Sequence, residues 1–148
     1  MMKTIIKSTV LLLSVFLASG CKLDTSHNGK LDGYWKLTTV DTLQTGGICN
    51  LTDASIFWAV EKDLLVARDN NDPGIREYVF RFVNADNTLS LSDAHLYNKV
   101  TGNIAVEDLS VLAPLGINHQ PEVFKIDKLS SSTMTLSTDE LRLSFKKF

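Results

Sequence analysis

Cysteine is nearly missing from this sequence, with only Cys21 and Cys49 in 148 residues. Cys21 is claimed by the N-terminal signal described below, so Cys49 is left alone. No intramolecular disulfide is open to the mature chain, and the fold has to be held by its core. Cys49 has neither a neighbouring histidine nor a surrounding signature, and it reads as an inert structural residue. Histidine is scarce too. His27, His95 and His119 have no His or Cys partner at the short spacing of a zinc site. Lys and Arg never form a run, which excludes the concentrated positive face that nucleic acid requires. There is no Gly-x-Ser-x-Gly elbow and no Gly-rich phosphate loop. No apolar stretch reaches the ~20 residues that a membrane-crossing helix needs.

What is present begins at the N-terminus. Lys3 and Lys7 precede the apolar run Thr9 to Leu17, and the small residues Ala18-Ser19-Gly20 lead into Cys21. This is the pattern of a bacterial lipoprotein signal, with residues 1–20 removed and Cys21 the lipid-carrying first residue. Without Lys3 and Lys7, 13 of the 15 basic residues remain against 17 acidic ones, for a net charge of −4. Electrostatic attraction to anionic lipid heads is therefore unsupported, and the membrane partner is reached through the lipid. Lys22 rather than Asp follows Cys21, which by similarity to other lipoproteins favours the outer membrane and leaves its periplasmic and cell-surface faces both open. Residues 21–32 read as the lipidated cysteine and a polar flexible tether. Residues 33–148 read as one domain.

The domain alternates with a period of two. Strands are expected at Tyr34–Val40, Ile56–Val60, Leu64–Arg68, Tyr78–Val83 and Thr88–Ser92, and around Phe124/Ile126, Met134/Leu136 and Leu141–Phe145. The inward set comprises Trp35, Leu37, Ile56, Trp58, Val60, Tyr78, Phe80, Phe82, Leu89, Leu91, Phe124, Ile126, Met134, Leu136, Leu141, Leu143 and Phe145. Short polar turns exclude parallel crossovers. Two connections are longer. Residues 41–55 show no strand period, and residues 93–121 contain one helix candidate, Val106–Leu112, stopped by Pro114. The pattern predicts an all-β domain, an eight-stranded antiparallel up-and-down barrel with a short helix between its fifth and sixth strands. Closure removes the edges that an open sheet would expose. A two-sheet sandwich uses the same alternation and is the alternative.

Gly33-Tyr34-Trp35 resembles the Gly-x-Trp opening of lipocalins. Over residues 31–148 the chain resembles the lipocalin-like domains of uncharacterised lipoproteins from gut Bacteroidales. The stretches that carry the likeness are LDGYWKLTTVDT (31–42), SIFWAVEKDLLVARD (55–69), YVFRF (78–82), LAPLGIN (112–118) and TMTLSTDELRLSFKKF (133–148). The resemblance implies a barrel closed at one end and open at the other. It also implies that the opening Trp packs beneath an Arg from a late strand. Arg142 is the candidate, yet Leu141, Leu143 and Phe145 set it on the opposite face from the core.

Each remaining chemical candidate has a plainer reading. Asp63 and the run Asp69-Asn70-Asn71-Asp72-Pro73-Gly74 suggest calcium, but they lack the loop spacing and a closing Glu, and they are ordinary turn residues. Glu61 and Glu77 could be a carboxylate pair, but parity places Glu61 in solvent. Asn50-Leu51-Thr52 fits the glycosylation pattern, which means little in a bacterial lipoprotein. No enzyme and no cofactor are expected. An eight-stranded barrel is just wide enough to be filled by side chains or to hold one small ligand. Trp35, Trp58, Tyr78, Phe80 and Phe82 are therefore candidates to bind a small apolar or amphipathic molecule. The other reading is a packed barrel whose loops at 41–55 and 93–121 contact another envelope protein.

Overall fold

The computed structural model describes residues 25–148; the expected signal and Cys21 lie outside them. Ten strands form one antiparallel sheet: β1 (Gly33–Thr42), β2 (Gly47–Asn50), β3 (Ile56–Glu61), β4 (Leu64–Asp69), β5 (Glu77–Ala85), β6 (Thr88–Leu96), β7 (Ile104–Ala105), β8 (Glu122–Leu129), β9 (Thr133–Ser137) and β10 (Leu141–Lys147). Neighbours run β10-β9-β8-β6-β5-β4-β3-β1, and β1 also pairs with β10, so the eight long strands close into a barrel. That pairing excludes the sandwich.

Tight hairpins fit the sequence at the turns. Asp86 and Asn87 both take positive φ, at 52° and 60°, which suits a two-residue link between right-twisted strands. The two short strands are additions to the expected set. β2 prolongs the edge of β1 past the start of β3, and β7 pairs with the end of β6. Every residue in both is exposed, so neither leaves a buried-exposed alternation in the sequence. Cys49, read as structural, sits exposed on β2 because that strand has no face against the core.

The alternation itself is realised closely. Of the expected inward residues, all are buried except Phe82 and Leu141, which are half-buried and packed against the core. Ala67 pairs with Trp58 on one side and Tyr78 on the other, and its small side chain leaves room for both rings. The barrel has two ends. At the base, the start of β1 meets the end of β3 (Gly33 with Val60) and the end of β10 (Trp35 with Lys147). At the mouth lie the long connections.

Residues 26–32, expected within the tether, instead fold under the base. Gly29–Leu31 forms a 3-10 turn whose Leu31 is fully buried. Ser26 and Asn28 donate to the Asp32 carboxylate. The helix candidate is also shifted. The observed 3-10 helix runs Leu109–Leu115 and contains Pro114 rather than ending before it. Val106 belongs to strand pairing, its N–H donating to the Ala94 carbonyl at 2.9 Å. Asp108 caps the start by accepting from the Ser110 N–H at 3.0 Å. The fixed φ of proline suits a 3-10 turn, so Pro114 is tolerated. Gly116 ends the helix, in the left-handed region at φ 84°.

Candidate functional site

At the base, the Trp35 indole N–H donates to the Leu31 carbonyl at 2.8 Å. Lys147 Nζ lies 4.7 Å from the centre of the Trp35 ring and donates to the Lys30 carbonyl at 3.0 Å. A cation over an indole face is the most favourable arrangement of its kind. Lys147, not Arg142, therefore occupies the place over the tryptophan. Arg142 is exposed, with Nε 3.9 Å from Asp127 Oδ2. Gly33 makes the approach possible: at φ 130°, a Cβ there would come within 3.0 Å of Lys147 Cε. The base is sealed.

The mouth is filled from within the chain. Leu112, Leu115 and Ile117 are all buried to 2% exposure or less. Trp58 donates its indole N–H to the Leu115 carbonyl at 3.1 Å, across 57 residues of sequence. Gly116 lies against β10 so closely that a Cβ would sit 2.8 Å from Leu143 Cδ1. Residues 109–117 thus act as a plug. Below it, the Trp58 ring packs on Phe145, with centroids 4.8 Å apart, and on Phe124 at 5.8 Å.

Of the five candidate rings, Trp35 and Trp58 are fully buried, Phe80 and Tyr78 nearly so, and Phe82 half-buried. The barrel brings them into one interior, where they pack with the plug. Hollows lie at the mouth and on the outer face. Tyr78 borders one of about 270 Å³ at the mouth, between the β4–β5 turn (Asp69, Asp72, Arg76) and the plug (Val111, Pro114, Leu115). Another, of about 510 Å³, opens in the wall beside β8, between His119, Glu122 and Val123 on one side and Thr138, Asp139 and Glu140 on the other.

Alternation did not disclose an aromatic cluster on the outer face. Tyr34 stacks on Phe57 with centroids 4.7 Å apart, and Phe148 meets both edge-on. Arg68 crosses this cluster, donating to the Tyr34 hydroxyl at 2.6 Å and to Glu77 at 2.9 Å. The hydrogen bond to Tyr34 chiefly holds the Arg68 guanidinium above its ordinary pKa, against the opposing effect of burial. These partners lock Arg68 and Glu77 into the wall rather than into a cleft.

The other candidate residues have structural roles. Asp69 accepts from the Asn71 N–H at 2.8 Å and Asp72 from the Gly74 N–H at 3.0 Å, as in ordinary turns. Glu61 is exposed, as parity requires. His119 Nε2 stands 3.6 Å from Glu140 Oε2, and His95 Nδ1 stands 3.6 Å from Asp93 Oδ1. Among the described residues no group of three His, Cys, Asp or Glu is placed to hold a metal ion.

A closed eight-stranded barrel opened by Gly-x-Trp, with a sealed base and a connection lying across its mouth, is a lipocalin-like architecture. The family model described as "Lipocalin-like domain" matches residues 14–148, and the chain belongs to that family. Among solved structures it resembles a lipocalin-like protein from Bacteroides uniformis, with 21% identity and a TM-score of 0.63, over 81% of this chain and 100% of that one. It also resembles an uncharacterized protein from Bacteroides eggerthii, with 18% identity and a TM-score of 0.60, over 79% of this chain and 98% of that one. These likenesses concern the fold. No curated protein matches the chain.

Proposed function

We propose that this protein is a non-enzymatic, lipid-anchored module of the bacterial outer membrane that works through its outer surface and mouth loops, by contact with another envelope protein. Its barrel interior is structural. The observation that supports this reading is the plug: Leu112, Leu115 and Ile117 occupy the mouth, and the buried Trp58 is hydrogen-bonded to the Leu115 carbonyl. The lipid on Cys21 supplies the attachment, and the folded segment 26–32 fixes the base of the barrel toward the membrane.

The test has two arms. In intact cells, crosslinkers placed in 41–55 and 93–121 should trap one specific envelope polypeptide, and shortening those loops should abolish the product. In the purified chain, the apolar probe 1-N-phenylnaphthylamine should neither bind nor quench Trp58. Stoichiometric uptake of the probe into the barrel overturns the reading.

A small ligand at the mouth is the second reading, favoured by the 270 Å³ hollow in which Tyr78 and Arg76 supply polar atoms beside Val111 and Pro114. A ligand held there should shift on Tyr78→Phe. One held by the deeper rings Trp35, Trp58, Phe80 and Phe82 should not.

A further inference from the structure

We infer that the opening in the barrel wall between β8 and the β9–β10 hairpin is a docking edge that accepts a short, extended, basic segment of a partner polypeptide as an added strand. The inference rests on the reading above that the outer surface is the working one, and it names the place and the chemistry.

In an antiparallel ladder, alternate residues direct both backbone groups to opposite neighbours. The Ile126 N–H donates to the Asn87 carbonyl at 2.9 Å, in the same register that pairs Phe124 with Leu89 and Glu122 with Leu91. Even-numbered residues of β8 therefore bond toward β6. Odd-numbered residues turn their amide and carbonyl the other way, toward β9. Lys125 meets Ser137 there. Two residues further on, the register would pair Val123 with Asp139, but the chain has already turned, because the Thr138 N–H donates to the Leu141 carbonyl at 2.8 Å. Val123 thus has a ladder partner in β6 and none in β9, and its open edge borders the 510 Å³ hollow.

An open strand edge is a template for pairing. β2 also has one, but every residue of β2 is exposed and none of them lines this hollow. The β8 edge faces the β9–β10 turn across the hollow, so the gap offers room for a single strand. One residue of an extended strand fills roughly 160 Å³, from a rise of ~3.3 Å, a strand spacing of ~4.8 Å and a layer depth of ~10 Å. The hollow therefore takes roughly three residues. Its rim is fixed in advance: the buried Glu122 carboxylate accepts the N–H groups of Asn118 and His119 at 2.7 and 2.8 Å. Val123, 52% exposed, offers an apolar contact beside the edge. Charge selects the guest. Lys125 is engaged by Asp127 at 3.7 Å, and Glu140 lies 3.6 Å from the His119 ring. Asp139 makes no ion pair among the described residues, and from the β9–β10 turn it lines the same hollow as Val123. A Lys or Arg of the incoming strand meets it there.

The test uses the full chain and two synthetic octapeptides, one of alternating Lys and Val and one of alternating Glu and Val. The Lys-Val peptide should bind and slow exchange of the Val123 amide. The Glu-Val peptide should bind at least tenfold more weakly. Asp139→Lys, on an exposed hairpin, should reverse that preference without changing the melting temperature. Val123→Pro should abolish binding; should that variant not fold, Asp139→Lys decides alone. Equal binding of both peptides, an unprotected Val123 amide, or no Lys-Val binding at millimolar concentration overturns the proposal. Such a failure alongside intact loop crosslinks removes this edge and leaves the packed-module reading standing. Probe uptake into the barrel removes the packed-module reading instead.

Discussion

Gly116 is where the plug is most sharply tested. Its φ of 84° lies in the left-handed region, which costs a residue with a Cβ about 1–2 kcal/mol. The same Cβ would lie 2.8 and 2.9 Å from the two δ-carbons of Leu143, which is itself fully buried on β10. Overpacking of that kind costs about 1–3 kcal/mol. Gly116→Ala should therefore destabilise the barrel by about 3 kcal/mol, or roughly 10 °C in melting temperature for a domain of this size.

The companion variant separates the two causes. Leu143→Ala alone should cost about 3–5 kcal/mol, because it empties a packed site. In the Gly116→Ala background it also removes the clash, so the double mutant should be more stable than the sum of the single effects predicts, by at least 1 kcal/mol. Urea melts followed by circular dichroism and by tryptophan fluorescence give both numbers. A plug that merely rests on the mouth would swing away at little cost. Unchanged melting of Gly116→Ala, or strict additivity with Leu143→Ala, would refute the claim that residues 109–117 are part of the core.

Other consequences are simpler to read. Phe80→Ala, at a 2% exposed position of β5, should cost about 3–5 kcal/mol; a melt without loss would mean the ring is not in the core. Cys49 is exposed on β2, so a thiol reagent should label it in the folded chain as fast as in urea, and protection until unfolding would contradict its placement. Asp32 is governed by an opposition: its slight burial raises its pKa, but hydrogen bonds from Ser26 and Asn28, with the Lys147 charge, bring it below the ordinary 3.8. A carboxyl lowered in the folded state stabilises it above the unfolded pKa, and that contribution disappears as pH falls through the folded value. The stability gap between the natural chain and Asp32→Asn should therefore be full at neutral pH, begin to fall near the ordinary 3.8 and be lost below the lowered folded value; a gap that ignores pH would refute the assignment.

The barrel was legible because seven of its strands carry a clear apolar face, and the eighth, Leu64–Arg68, is fixed by the tight corner before it. Leu65 and Ala67 complete the interior without a strong signal, since Ala67 is a space left for Trp58 and Tyr78. What was hidden has a common physical cause. β2 and β7 are wholly exposed, so nothing in them alternates. The plug is buried without regularity: Leu112, Leu115 and Ile117 enter the core from a 3-10 helix and the segment just after it, to which neither the helical nor the strand period applies. Leu31 escaped for the same reason, as one apolar residue in a polar stretch. Lys147 was not legible because the Trp–Arg pairing implied by the resemblance points to arginine, whereas the lysine beside Phe148 provides the same charge. The β8 edge is beyond any composition argument. It exists only because a ladder begins at Lys125 and the partner chain turns at Thr138.

Whether such a barrel carries anything inside is a question of energy. A guest in the interior must first displace Leu112, Leu115 and Ile117, all buried to 2% or less. Returning each of these side chains to water costs about 2 kcal/mol, and about 6 kcal/mol together. That is a penalty of roughly 10⁴ in affinity. A ligand observed to bind at micromolar concentration would need an intrinsic dissociation constant near ~0.1 nM for the emptied barrel. An interior of rings already in contact, with Trp58 tied to the plug backbone, offers few free polar atoms from which to build such affinity. An added strand at Val123 faces no comparable displacement: its edge is already open, its rim already held by Glu122, and the incoming backbone supplies the bonds.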